Sequence, residues 1–181
     1  MVIETERLLL RDYREEDWER VLAYQSDPRY LRYYHWEDRS EGAVREFVRM
    51  FLRFAAEEPR RKFQLAVTLR ESGLLVGSCG VRLDEAGGWR GDIGYELDPD
   101  YWGRGLATEA ARAMARFAFE RLSLHRLESH CIAENTGSAR VLEKLRMRLE
   151  GRMRDREFFK GRYWDVLHYA VLEDEWRKGD S

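Results

Sequence analysis

The run with the most chemistry in it is Tyr95-Glu96-Leu97-Asp98-Pro99-Asp100-Tyr101-Trp102-Gly103-Arg104-Gly105-Leu106-Ala107-Thr108-Glu109-Ala110. Its strand must end at Pro99, which has no N–H to give to a ladder. Two glycines one residue apart follow, and a helical pattern starts at once. Without Cβ atoms, Gly103 and Gly105 let main-chain N–H groups come close to a ligand and adopt φ/ψ values closed to other residues. The first turn of a helix carries unpaired N–H groups and the positive end of the dipole, so the junction suits an anion, and a pyrophosphate above all. A tight strand-to-helix turn with no ligand is the plainer alternative.

Three phosphate-binding patterns compete for this loop. The P-loop, with four residues between its glycines followed by Gly-Lys-Ser/Thr, occurs nowhere in the chain. The dinucleotide fingerprint needs a third glycine where Thr108 stands and a repeating parallel β-α-β array. Glu134 is spaced to play its ribose acid, so that reading stays open. The third option is a cradle for the pyrophosphate of coenzyme A.

The elements that must position this loop follow from periodicity. Residues 7–11 carry Leu8-Leu9-Leu10 and read as a strand, and residues 15–26 read as a short helix that stops before Asp27-Pro28. Ser40 is placed as the N-cap of a second helix with the stripe Val44, Phe47, Val48, Phe51, Leu52 and Ala55. Residues 63–69, 74–83 and 92–97 read as three strands joined by turns at Glu71-Ser72-Gly73 and Gly87-Gly88, hence an antiparallel meander. A helix over 105–122, a strand over 126–133, a helix over 138–145 and strands over 148–156 and 163–172 complete the chain. The order β-α-α-β-β-β-α-β-α-β-β implies an α/β (α+β) fold: a mixed, mostly antiparallel sheet flanked by helices, with one β-α-β crossover. With no linker or repeat in the sequence, residues 1–181 are expected to form a single domain.

Composition narrows the function. The 181 residues include 44% hydrophobic and 13% aromatic side chains, enough for a real core. A net charge of −2 argues against a nucleic-acid partner held by bulk charge. The N-terminal segment has acids where a secretory signal carries basic residues, and no run approaches the roughly 20 apolar residues of a membrane span. A cytoplasmic protein without a membrane partner is expected. Cys79 and Cys131 are too few for a disulfide framework or a four-ligand zinc site, and the four histidines lack metal-ligand spacing, so no metal is expected.

Residues 99–110 resemble the acetyl-CoA loop of the GNAT N-acetyltransferase superfamily, and most closely its RimJ/RimL-type branch, which acetylates ribosomal-protein N-termini. Asn135-Thr136-Gly137-Ser138-Ala139-Arg140-Val141-Leu142-Glu143-Lys144-Leu145 is similar to that branch's second strand-to-helix segment. The opening Glu4-Thr5-Glu6-Arg7-Leu8-Leu9-Leu10-Arg11 and the closing Tyr163-Trp164-Asp165-Val166 also agree, so the likeness spans nearly the whole chain. It implies an acetyl-CoA-dependent N-acetyltransferase. The backbone N–H groups of Gly103, Arg104, Gly105, Leu106, Ala107 and Thr108 would hold the pyrophosphate. The strand edge at Leu97 would pair with the pantetheine amides. Asn135 would bond the pantetheine arm, and Ser138 would sit by the sulfur. The chain departs from the family at three places, one of them a pair of residues. Trp102 stands where Arg or Gln is usual, Leu142 replaces the tyrosine that many members use to protonate the thiolate, and Arg146-Met147 replaces Gly-Phe.

Acetyl transfer needs an unprotonated amine, a polarised thioester carbonyl and a partner for the leaving thiolate. Positioning alone supplies several kcal/mol, and the Leu97 N–H is a candidate donor to the carbonyl. Glu96 is the candidate carboxylate for the amine proton, its alternative being a solvated strand residue. Ser138 is the candidate hydrogen-bond donor to the thiolate, its alternative being a first-turn helix residue bonded to the backbone. The aromatic group Tyr30, Tyr33, Tyr34, His35 and Trp36 either shapes an acceptor pocket or wedges helices onto the sheet. His130, on the strand before Asn135, either faces the acceptor cleft or is a packing or surface residue, the latter being the plainer reading, and Cys79 and Cys131 read as buried, inert thiols. The expected acceptor is a primary amine, on a protein N-terminus or a small molecule, and a monomer or homodimer is expected. The competing reading is a non-catalytic acyl-CoA-binding module, favoured by Leu142.

Overall fold

Eight strands make one sheet in the computed structural model, which describes residues 1–84 and 88–178. The chain enters through β1 (Val2–Glu4) and β2 (Leu8–Arg11), then crosses one face as α1 (Trp18–Gln25), α2 (Pro28–Leu31) and α3 (Glu41–Ala56). The strands β3 (Lys62–Leu69), β4 (Leu75–Leu83) and β5 (Arg90–Leu97) form the expected meander. Then come α4 (Leu106–Glu120), β6 (Arg126–Ile132), α5 (Thr136–Lys144), β7 (Arg148–Phe159), β8 (Arg162–Leu172) and α6 (Glu173–Arg177). The sheet order is β1-β2-β3-β4-β5-β6-β8-β7, and every neighbouring pair is antiparallel except β5 and β6. This is the mixed, mostly antiparallel sheet that the periodicity implies, with its one crossover through α4.

Each face of the sheet is buried by its own set of apolar side chains. Leu65, Val81, Ile93 and Leu127 meet Leu106, Ala110, Met114 and Leu142 of α4 and α5 on one side. Val21 and Tyr24 of α1, Tyr30 and Leu31 of α2, and Val44, Val48 and Phe51 of α3 pack together on the other. The Ser40 hydroxyl accepts from the Ala43 N–H, capping α3 as its residue type predicts.

The structure corrects several boundaries. β1 precedes the first expected strand and pairs Val2 with Arg11; three residues, of which only Ile3 is half-buried, leave no apolar run to read. The first helix stops before Asp27-Pro28 as expected, and Pro28 then opens the short α2, which Asp27 caps by accepting from the Arg29 N–H. The helix expected over 138–145 starts earlier, at Thr136, with Asn135 as its cap. The last two strands run on to meet at Lys160-Gly161, where φ values of +52° and +71° match a tight hairpin turn. Gly88 follows β4 with φ +74°, whereas Gly87, the other half of the expected turn, lies outside the described residues.

Candidate functional site

The parallel pair β5/β6 stays in register only from Arg90↔Arg126 to Asp92↔Glu128, after which the strands part. Asp98 N–H donates to the Val76 carbonyl, 2.8 Å away. By the alternation of an antiparallel ladder, the main chain of Ile93, Tyr95 and Leu97 therefore turns away from β4, toward β6. Within the gap, the Ser129 hydroxyl donates to the Ile93 carbonyl at 2.8 Å, and the Trp102 indole N–H donates to the Leu97 carbonyl at 2.8 Å. The Leu97 N–H thus faces the opening without a ladder partner, at the place where an extended ligand would complete the sheet. Trp102, one of the three departures, fastens the end of β5.

At the end of β5, a single 3-10 turn (Pro99–Tyr101) leads into the glycine loop. Gly103 and Gly105 have φ of +75° and +78°, the left-handed region that favours glycine. The first N–H of this helix to find a partner is that of Glu109, which donates to the Gly105 carbonyl at 3.0 Å. Those of residues 103 to 108 make no hydrogen bond among the described residues. Six successive unpaired donors leading into a fifteen-residue helix are suited to cradle an anion. Its first turn is clamped from outside. The Glu109 carboxylate accepts from the Thr5 hydroxyl at 2.7 Å and from the Arg7 N–H and Nε, while Arg7 Nη1 also holds the Arg104 carbonyl. Burial works against the ionised form of Glu109, but these hydrogen bonds from Thr5 and Arg7 outweigh it and hold its pKa below the usual carboxylate value.

The facing wall is the junction of β6 and α5. Asn135 Oδ1 accepts from the Ser138 N–H at 3.1 Å, so Asn135 caps the helix and fixes the main chain under Ser138. The Tyr95 hydroxyl crosses from β5 to donate to the Ser138 carbonyl at 2.9 Å and lies 3.0 Å from Ser138 Oγ. Cys131 lies beside Ser138, and burial pushes its thiol up to about 11, so it stays protonated and inert. Leu142, one turn beyond Ser138, is fully buried in the core.

Glu96 points the other way. Its neighbour Tyr95 reaches α5, whereas the Glu96 carboxylate accepts from the Tyr24 hydroxyl (2.6 Å), the Tyr30 hydroxyl (2.5 Å) and Gln25 Nε2 (3.1 Å) on α1 and α2. Burial first, and then the Glu96 charge, raise the pKa of Tyr24 and Tyr30 well above the phenol value, so both remain donors. Glu96 and Ser138 therefore lie on opposite faces of the sheet, joined by the gap between β5 and β6.

The aromatic group at 30–36 does two things. Tyr30, Tyr34 and Trp36 stack in the helix-side core, with centroids 4.5 and 4.8 Å apart, while the Tyr33 hydroxyl reaches across to the Glu134 carbonyl at 2.9 Å. Glu134, the candidate ribose acid, instead pairs with Arg162 at 2.5 Å. Sequence reasoning did not single out Tyr95, Tyr24 or Gln25 for the site. Period-two alternation along β5 is the signal that places 93, 95 and 97 on one face and 96 on the other. Among the described residues there is no metal-binding group of side chains and no helix long and apolar enough to cross a membrane.

Known proteins share this architecture. The family model described as an acetyltransferase (GNAT) domain matches residues 7–148. The uncharacterized N-acetyltransferase p20 of Bacillus licheniformis is 33% identical over 95% of this chain and 96% of its own length. The uncharacterized N-acetyltransferase YnaD of Bacillus subtilis (strain 168) is 34% identical over 97% of this chain and 99% of its own. Among solved structures, the GNAT-family acetyltransferase from Bacillus anthracis superposes with a TM-score of 0.84 at 34% identity, covering 97% of this chain and 100% of that one. RimL, a ribosomal L7/L12 α-N-protein acetyltransferase solved with coenzyme A, shares the fold with a TM-score of 0.83 at 21% identity, over 95% of this chain and 98% of its own.

Proposed function

The chain belongs to the GNAT acetyltransferases, and from that premise we propose how its residues carry an acetyl group from acetyl-CoA to a primary amine. The observation that carries the reading is the run of six unpaired N–H groups from Gly103 to Thr108 beside the unpaired edge at Leu97. The cradle takes the pyrophosphate. Pantetheine then lies along β5 as a further strand, with Asn135 bonding its arm. This directs the thioester into the gap between β5 and β6, where the Leu97 N–H donates to the carbonyl oxygen and Ser138 Oγ faces the sulfur.

The amine enters from the Glu96 face. As its nitrogen bonds to the carbonyl carbon, the C–S bond breaks and the amine's proton passes to Glu96, directly or through water. The proton finally replaces the acetyl group on the coenzyme thiol. Cys131, the thiol beside Ser138, is buried and held protonated, which supports direct transfer without an acyl-enzyme. The acceptor is a protein N-terminus or a small amine, the former in keeping with the acceptor that RimL's name gives for that protein.

Thermal shift with acetyl-CoA, followed by thiol release on adding a panel of amines and N-terminal peptides, tests the reading. A rise in Tm with amine-dependent thiol release is expected. A rise in Tm without release from any acceptor would mark a non-catalytic acyl-CoA-binding module, and no rise with any CoA species would contradict both.

A further inference from the structure

With Leu142 buried in the core, α5 offers no phenol to the leaving sulfur. A phenol nevertheless reaches the same place from the opposite wall. Tyr95 spans the gap from β5, and two separate contacts tie its hydroxyl to Ser138, 2.9 Å to the carbonyl and 3.0 Å to Oγ. A phenol has a single hydrogen. Donated to the Ser138 carbonyl, it leaves the Tyr95 oxygen to accept, so the Ser138 hydrogen lies on Tyr95 or swings to a better acceptor. A further polar neighbour of the Ser138 hydroxyl is the protonated Cys131 thiol, a weak acceptor. A thiolate formed beside Ser138 is a far stronger one.

We propose that Tyr95 is a positioning residue of the acetyl transfer: its hydroxyl fixes the first turn of α5 and the Ser138 side chain so that the Ser138 O–H is presented to the departing coenzyme thiolate. This rests on the cofactor reading given above. The step stays balanced without a proton leaving either hydroxyl. The C–S electron pair moves onto sulfur, Ser138 donates a hydrogen bond to it, and the proton released by the amine reaches the thiolate as products part. Burial raises the Tyr95 pKa, keeping the phenol protonated and in place as a donor to the Ser138 carbonyl.

The experiment first measures coenzyme A binding by calorimetry, then titrates the bound thiol by its ultraviolet thiolate absorbance, in the wild type, Tyr95→Phe, Ser138→Ala and the double variant. Tyr95→Phe is expected to lower kcat about tenfold with little change in the KM for acetyl-CoA, and to reduce the thiolate fraction of bound coenzyme about tenfold at a given pH. The double variant is expected to be no slower than Ser138→Ala, since Tyr95 acts through Ser138. Unchanged kcat and thiol titration in Tyr95→Phe, or losses that multiply in the double variant, would overturn the proposal while leaving coenzyme binding intact. Failure of the wild type to bind coenzyme A would overturn the cofactor reading and this proposal together. Should Tyr95→Phe not fold, 3-fluorotyrosine at position 95 keeps the side chain's shape with a more acidic phenol. A shifted bound-thiol titration is then expected, and an unmoved one would overturn the proposal.

Discussion

Two strand-to-helix junctions flank the same gap, and they handle their helix ends in opposite ways. At the end of β6, Asn135 Oδ1 takes the Ser138 N–H, so α5 begins with a side-chain cap and presents side chains to the gap. At the end of β5, Gly105 offers no side chain, and the N–H groups from 103 to 108 remain unpaired. A capped helix end has used donors that a bound anion would otherwise need. The uncapped junction is thus suited to hold phosphate, and the capped one to hold a hydroxyl in place. On the proposed reading, neighbouring helices of one fold would divide binding from chemistry by the presence or absence of one short polar side chain.

The contrast breaks most severely at Gly105. A branched residue at φ +78° would cost on the order of 1–2 kcal/mol or more in backbone energy and pull the first turn out of line. The nearest atom to an added Cβ is Arg7 Nη2 at 3.6 Å, so strain rather than collision is the cause. Gly105→Val is expected to weaken coenzyme A binding by about a hundredfold, from that strain and misaligned N–H donors. Calorimetry checks this, and unchanged affinity would remove the loop from the site.

On the capped side, Ser138→Ala should lower kcat about 10- to 100-fold and leave coenzyme affinity nearly unchanged, as expected for a donor that matters as charge develops. Steady-state kinetics with separate binding measurements checks the split. Equal turnover would reduce Ser138 to a helix residue.

A smaller effect sharpens the account of the bare junction. Because its partners depress the folded-state pKa of Glu109, the clamp contributes stability above the usual carboxylate value of about 4.5 and loses it as pH falls through the lower, folded value. The Tm gap between wild type and Glu109→Gln should be full at neutral pH and close on acidification below that value. A gap independent of pH would assign the effect to packing.

The mildest change lies at the far end of α5. Arg146 has φ +62°, and the Met147 N–H donates back to the Leu142 carbonyl at 3.1 Å, an ending that favours glycine. Arg146→Gly should raise stability by about 0.5–1 kcal/mol, as the left-handed penalty of arginine exceeds the chain entropy of glycine. Thermal denaturation should show a gain of roughly 1–4 °C for a chain of this size.

These cases also mark what could be read from the chain in advance. Regular elements were legible where a pattern repeats over several turns, as in the α3 stripe from Val44 to Ala55 under its Ser40 cap. Short or unusual pieces were not. β1 has three residues, α2 has four, and the hairpin turn uses Lys160 where Asn-Gly or Asp-Gly is the common signal. The main-chain cradle was legible because glycine spacing constrains backbone directly. Side-chain pairings were harder. Tyr95 and Ser138 are 43 residues apart, and Glu96 meets partners 66 to 72 residues away. Alternation says that Tyr95 and Glu96 face opposite ways, yet only the packed helices determine which face each one takes.

The central claim is that the unpaired N–H groups of residues 103–108 receive the pyrophosphate. Titrating ¹⁵N-labelled protein with coenzyme A and following each amide resonance tests it most directly. The account predicts that the amides of Gly103 through Thr108 shift furthest in the chain, with Leu97 next, and that in Gly105→Val both responses require about a hundredfold more coenzyme. Saturating coenzyme binding that leaves those six amides unmoved would contradict it.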